Sequence, residues 1–317
     1  MEKRILIDLN DKANWLYEST SPPTPGGTIV EENRVILMPE GEHRLFAFTD
    51  AVMHYAEDAY QMSHDHRSGF ETFFVDSGSM EFYSQGKVAT LKKGDLIHIQ
   101  PFVTHGMVFN EDTRYRGIFQ DWAVIDDFPE TYRAKAFDPD ASAKIAASGA
   151  PASYDFNIHD AKNYVRAEAS EIPAVRNPER PLAQYKFDGV TLNQVVGRWE
   201  TYGVREIWQA KLEKGFSAQW VDFPLLPELF YVTSGKVKFT VYGEEYTAFE
   251  DCLVKIPKFA PHSIIAETDA AMYDLGGLSM WELFLADYTA GTHTPEDVKS
   301  LKDKYKIQIK SFGGLQK

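Results

Sequence analysis

The chain has one cysteine, Cys252, in 317 residues. No disulfide can close within it, so the fold cannot rest on an oxidising compartment. Long apolar runs are absent too, and none approaches the ~18 residues of a membrane span. The first residues, MEKRILIDLNDKANW, carry only Ile5, Leu6 and Ile7 as an apolar run before charge returns at Asp8. That is not the pattern of a secretion signal. Positive charge is scarce: 33 Lys and Arg stand against 47 Asp and Glu, a net charge of −14. A broad affinity for nucleic acid or anionic membrane is thereby excluded. These absences predict a cytoplasmic protein whose partner is a small molecule.

What is present is β structure. Short runs such as SGSMEFYSQGKVATLKKGDLIHIQPF and SGKVKFTVYGEEYTAFEDCLVKIPKF alternate apolar and polar residues between turn residues. This is the pattern of antiparallel strands with one face in a core. The two runs also match each other. At an offset of 157 (228 − 71), Glu71 meets Glu228, Phe73 meets Phe230 and Gly78 meets Gly235. Gly86 then meets Gly243, Leu96 meets Leu253 and His105 meets His262 without a gap. Such register over the whole segment indicates an internal duplication. A weaker echo links LNDKANWLYES near Leu9 to IHDAKNYVRAE near Ile158.

Two helices are expected outside the strands. A short one falls at 141–147. The second lies in THTPEDVKSLKDKYK, where Thr294 can cap, Pro295 fits the first helical position, and Glu296 and Asp297 suit the positive end of the dipole. Val298, Leu301 and Tyr305 form its apolar stripe.

The chemistry is concentrated in SHDHRSGFETFFVDSG. His64 and His66 stand two apart, so on a strand both face one way. Glu71 opens the next apolar run, where an unpaired carboxylate is costly. His105 follows the returning strand after Gly94 and Asp95. Three imidazoles and a carboxylate can hold one divalent transition metal (Fe, Mn, Ni, Cu or Zn) and leave coordination positions open. His98 falls outside this pattern and is expected at the surface or behind the ligands. His43, His54, His159 and His293 are expected to be ordinary polar residues.

These residues resemble the motifs of the cupins, small jelly-roll barrels. In the first motif, G-x5-H-x-H-x3-4-E-x6-G, His64, His66, Glu71 and Gly78 stand at matching spacing, and Asp58 replaces the leading glycine. In the second, G-x5-P-x-G-x2-H-x3-N, Gly94 and His105 match. Gln100, Phe102 and Phe109 depart from it, with Pro101 and Asn110 one position along. The resemblance spans both repeats. It implies an all-β bicupin, two tandem jelly-roll barrels with a few peripheral helices. The boundaries expected are 1–125 for a metal-bearing barrel, 126–180 for a connection, and 181–317 for a degenerate barrel with the C-terminal helix. Cupins often dimerise through a sheet edge, so a homodimer is expected.

In the second repeat the same offset puts Val221 at His64 and Phe223 at His66. Only Glu228 and His262 remain, so no metal is expected there. The pair would satisfy each other if buried. The apolar stretch QWVDFPLLPELFYV suits a packed barrel or a metal-free pocket.

Strand parity puts Tyr60, Met62, Phe73, Met107 and Phe109 on the interior of the first barrel, a lining suited to an aromatic or apolar substrate. Within the family, the motifs resemble those of quercetinase-like and pirin-like dioxygenases. That implies O2-dependent chemistry on a small aromatic or enolic substrate, with Glu71 as ligand or base. The alternatives are a metal-dependent isomerase or lyase of a hydroxy acid or sugar acid, with Arg67 or Arg116 holding the carboxylate, and a non-enzymatic binding module.

Overall fold

A computed structural model of the chain describes residues 4–20, 27–37, 47–56, 62–63, 69–119, 156–157, 164–203, 205–222, 227–276, 280–291 and 294–313. Those residues form two units, Trp15–Asn177 and Met1–Asn14 with Pro178–Lys317.

Each unit is built around two facing, mainly antiparallel sheets. In the first, a seven-stranded sheet runs in the order Val175–Arg176, Leu96–Ile99, Glu71–Ser77, Thr113–Phe119, Ala47–Met53, Glu31–Leu37, Tyr17–Thr20. The facing sheet is His105–Phe109, Ser79–Ser84, Lys87–Lys92, Val165–Arg166. Alternation places Phe73, Val75, Ile97, Ile99, Met107 and Phe109 in the core between them. The second unit repeats the plan around Trp208, Phe230, Val232, Phe239 and Ile264.

The duplication holds strand by strand. Strands start at Glu71, Ser79, Lys87, His105 and Thr113 in one unit, and at Glu228, Lys236, Glu244, His262 and Ala270 in the other. Each pair keeps the 157 offset (for example 270 − 113). Even the backbone exceptions are repeated. Gln85 and Tyr242 both have φ of 53°, and Phe102 and Phe259 have 65° and 59°.

The unit boundaries differ from the expected ones. Leu6–Asp8 pairs with Cys252–Ile256, so the N-terminal residues complete the second unit's sheet. Val175–Arg176 pairs with Leu96–Ile99 at the corresponding edge of the first. Val165–Arg166 runs parallel to Lys87–Lys92. The described end of the expected connection therefore covers strand edges that would otherwise expose unpaired backbone. The helix expected at 141–147 lies outside the described residues.

Helix Pro295–Tyr305 forms as expected. The Thr294 side chain accepts from the Asp297 amide, and the Asp297 carboxylate accepts from the Thr294 backbone amide. A second helix, Trp281–Thr289, buries Trp281, Phe284 and Leu285.

His54 is tied down at the surface. Its Nδ1 lies 3.0 Å from Asp112 and its Nε2 3.3 Å from Glu32. The hydrogen bond to Asp112 is the main influence raising its pKa, against partial burial. A raised folded-state value means the bridge stabilises fully below the unfolded value near 6.5 and fades as pH climbs through the folded one. The stability difference between wild type and His54→Gln should therefore be largest below pH ~6.5 and shrink above it. Urea unfolding across that range measures it; a difference that grows with pH would contradict the assignment.

Candidate metal centre

Glu71 opens the strand Glu71–Ser77 of one sheet, and His105 opens the strand His105–Phe109 of the facing sheet. They share the inward parity of Phe73 and Met107, so their side chains meet inside the barrel. His105 Nε2 lies 3.3 Å from Glu71 Oε2, with both side chains buried. Phe82 tilts against the imidazole at 6.3 Å.

The tautomer follows from the other ring nitrogen. His105 Nδ1 lies 2.9 Å from the Val103 carbonyl, which can only accept, so Nδ1 carries a proton. That leaves Nε2 aimed at the carboxylate. If Nε2 is unprotonated, two electron-rich atoms face each other, and a shared cation resolves the conflict. The donor set fits a transition metal: one oriented imidazole, one carboxylate, and an H-x-H pair within reach of the same strand end in sequence. His64 and His66 themselves lie outside the described residues. So do Arg67, Asp58 and Tyr60, and nothing is described of the Met62 side chain.

The turn before His105 keeps its shape despite the motif departures. Phe102 occupies the left-handed region, at φ 65°, where the family pattern has glycine.

Two expectations are corrected. His98 is not at the surface; it is 1% exposed. It alternates with Ile99 and so lies on the opposite sheet face from Glu71, 3.0 Å from Thr72 Oγ1 and stacked on Phe70. Arg116 pairs across from Phe74, which also faces away from Glu71. It is committed to Asp50 and Asp76, each at 3.2 Å. Arg34 and a bidentate Arg114 complete the Asp50 cluster. Burial alone would raise the Asp50 carboxyl, but Arg114, Arg116 and Arg34 together hold it below its usual range. A substrate carboxylate at the metal centre is thus out of reach of Arg116.

The second unit repeats the pair without the H-x-H. His262 Nε2 lies 3.4 Å from Glu228 Oε2, and His262 Nδ1 lies 3.0 Å from the Ala260 carbonyl. Beside them stands a residue the sequence reading overlooked. Trp220 pairs across the ladder from His262, and its ring lies edge-on at 4.3 Å. Trp220 belongs to the core and Val221 does not. The inward residue opposite His262 is therefore an indole, not the Val221 that the ungapped alignment set against His64. The usable signal was the parity of Ala218 and Trp220 in SAQWVDF.

Residues 51–119 match the family model for the cupin domain. No curated protein sequence matches the chain. Among solved structures, it is similar to a glyoxylate-induced protein from Pseudomonas aeruginosa, with a TM-score of 0.56 and 13% identity over 88% of this chain and 92% of that one. An oxalate decarboxylase variant from Bacillus subtilis gives a TM-score of 0.52 and 13% identity over 98% and 90%. A cupin 2 conserved barrel domain protein from Leptotrichia buccalis gives 0.51 and 14% over 86% and 96%. The first unit thus matches the cupin domain over residues 51–119, and the two jelly-roll units together have the fold of these structures. Among the described residues, no helix is long and apolar enough to cross a membrane.

Proposed function

We propose that the chain is a metal-dependent enzyme whose single centre, in the first barrel, uses O2 to cleave a small aromatic or enolic substrate. The observation that carries this reading is the buried Glu71–His105 pair at 3.3 Å, with the imidazole oriented by the Val103 carbonyl. His64 and His66 would complete the ligand set. The Bacillus subtilis oxalate decarboxylase, of similar fold, holds Mn(II) centres.

When bound, a divalent ion supplies open coordination positions and lowers the pKa of an enolic hydroxyl. The chain does the rest. His105 holds its Nε2 fixed, so the geometry is set before substrate arrives. Glu71 Oε2 orients or accepts the substrate proton. Phe73, Met107, Phe109 and Tyr115 make the interior apolar, which favours a flat substrate and keeps water from reactive intermediates. The isomerase or lyase reading needs a cation for a substrate carboxylate, and Arg116 is turned to the opposite sheet face.

The test is oxygen uptake by metal-loaded protein on flavonols, catechols and enolised diketones. Uptake is expected with at least one of these classes. Anaerobic turnover of a hydroxy acid, a sugar acid or oxalate, with no uptake on the panel, would replace this reading by the lyase or isomerase one. Ligand binding that survives metal removal, without turnover of any compound, would favour a binding module.

A further inference from the structure

Gly117 stands directly across the ladder from Phe73, on the inner face of the first barrel. Phe73 is two residues from Glu71 and shares its face. The Phe73 ring fills the space that a side chain at 117 would need. A Cβ there would sit 2.7 and 2.8 Å from two carbons of that ring. The next atom, Thr49 Oγ1 at 3.4 Å, would be an ordinary contact. The ring is held in this seat edge-on to Tyr115, with centroids 5.1 Å apart. Gly117 is not among the glycines of positive φ, so its backbone does not call for glycine. What the missing side chain provides is room for Phe73.

The second barrel shows the alternative arrangement. The same repeat offset sets Asp274 at Gly117 and Phe230 at Phe73, and the cross-strand pairing is kept. Here a side chain is present, and Asp274 lines the barrel interior. The seat that Phe73 uses is therefore taken. The Phe230 ring packs instead at 5.6 Å from Phe239, 6.1 Å from Trp220 and 6.4 Å from His262. With aspartate opposite, the phenyl ring helps to fill the space beside the metal-free Glu228–His262 pair.

We infer that Gly117 sets the size of the molecule admitted beside Glu71 and His105, by seating the Phe73 ring against the sheet. This rests on the reading of the first barrel as a metal centre. Gly117 touches no reacting atom; it determines specificity through Phe73. A methyl at 117 unseats the ring, and the ladder leaves it one direction. Tyr115 stands edge-on to it, and Ile97 pairs with Phe73 from the next strand. The interior beside Glu71 is what remains, as it is for Phe230 in the second barrel.

The test compares the full wild-type chain with Gly117→Ala and with Gly117→Ala/Phe73→Val, whose valine lacks both obstructing ring carbons. Crystal structures give the ring position. Co(II)-loaded protein is titrated with azide, a small metal ligand, and with 4-nitrocatechol, a ring-sized one, by visible absorption. Gly117→Ala is expected to keep its Co(II) and its azide affinity, and to swing the Phe73 ring toward His105. Its affinity for 4-nitrocatechol should fall about tenfold or more, the usual scale of overpacking. The double variant should recover that affinity. A ring that stays over residue 117, or 4-nitrocatechol bound as tightly as by the wild type, would overturn the inference. So would equal loss of azide and 4-nitrocatechol, or a double variant no better than the single one in folding or affinity. A wild-type chain that takes up Co(II) but binds no 4-nitrocatechol would overturn it too. Failure of the wild type to take up Co(II) is a different result: it would remove the metal centre itself, and the inference with it.

Discussion

Replacing His105 with alanine is expected to empty the first barrel of metal and cut turnover at least ~100-fold, while His262→Ala leaves both unchanged. Loss of a mere outer partner of a metal ligand costs about 10–100-fold, so loss of a ligand sets that as a floor. The contrast between the variants matters because the two histidines are locally the same. Each opens a strand, donates from Nδ1 to the carbonyl two residues back, and points Nε2 at a buried glutamate. They differ in what stands opposite. In the second barrel it is the Trp220 indole. His262→Ala should therefore show itself in stability. Stranding Glu228 in a dry core costs about 3–5 kcal/mol, the usual price of breaking a buried pair. Glu71→Gln separates ligation from proton handling, and is expected to keep much of the metal but lose most turnover. Elemental analysis, steady-state rates and urea midpoints on the three variants provide the readout. Metal loss in His262→Ala, or full metal in His105→Ala, would reverse the assignment of the barrels.

Gly78→Ala is expected to destabilise the first barrel by about 3 kcal/mol or more, and Gly235→Ala the second by a similar amount. Both glycines are left-handed, at φ 72° and 76°. A Cβ at Gly78 would sit 2.3 Å from the Asp112 carbonyl oxygen, and one at Gly235 would sit 2.2 Å from that of Asp269. The obstacle is backbone in each case, so no rotamer change relieves it. Gly86→Ala is the control. It shares the left-handed backbone, at φ 76°, but has nothing within 4 Å of the new methyl. Its cost should be confined to the backbone preference, about 1 kcal/mol. Equal urea midpoints for Gly78→Ala and Gly86→Ala would show that the close approach does not matter.

The repeat was the most legible part of the fold, because turn glycines and alternating apolar residues leave local marks. Glu71 and His105 were found for the same reason: a carboxylate and an imidazole opening apolar strands are visible without a structure. Long-range pairing left no such mark. Nothing local in Leu6–Asp8 says that it joins Cys252–Ile256, more than two hundred residues away. The outer faces misled as well. His98 and Arg116 look like surface or site residues by type, yet both are buried on the sheet face away from Glu71. Strand Glu71–Ser77 buries both faces over most of its length, so alternation alone could not tell its inner from its outer side. Trp220 was missed because the second repeat was read only at the positions that the offset sets against His64 and His66, and Trp220 stands one residue before them.

The central claim is one divalent ion per chain, held in the first barrel by His64, His66, Glu71 and His105. The most direct measurement is metal stoichiometry of untagged, Mn(II)-loaded protein, for the wild type and for His66→Ala. The account predicts one ion per wild-type chain and close to none in the variant. An undiminished ion in His66→Ala, or a second fully occupied ion per wild-type chain, would contradict it.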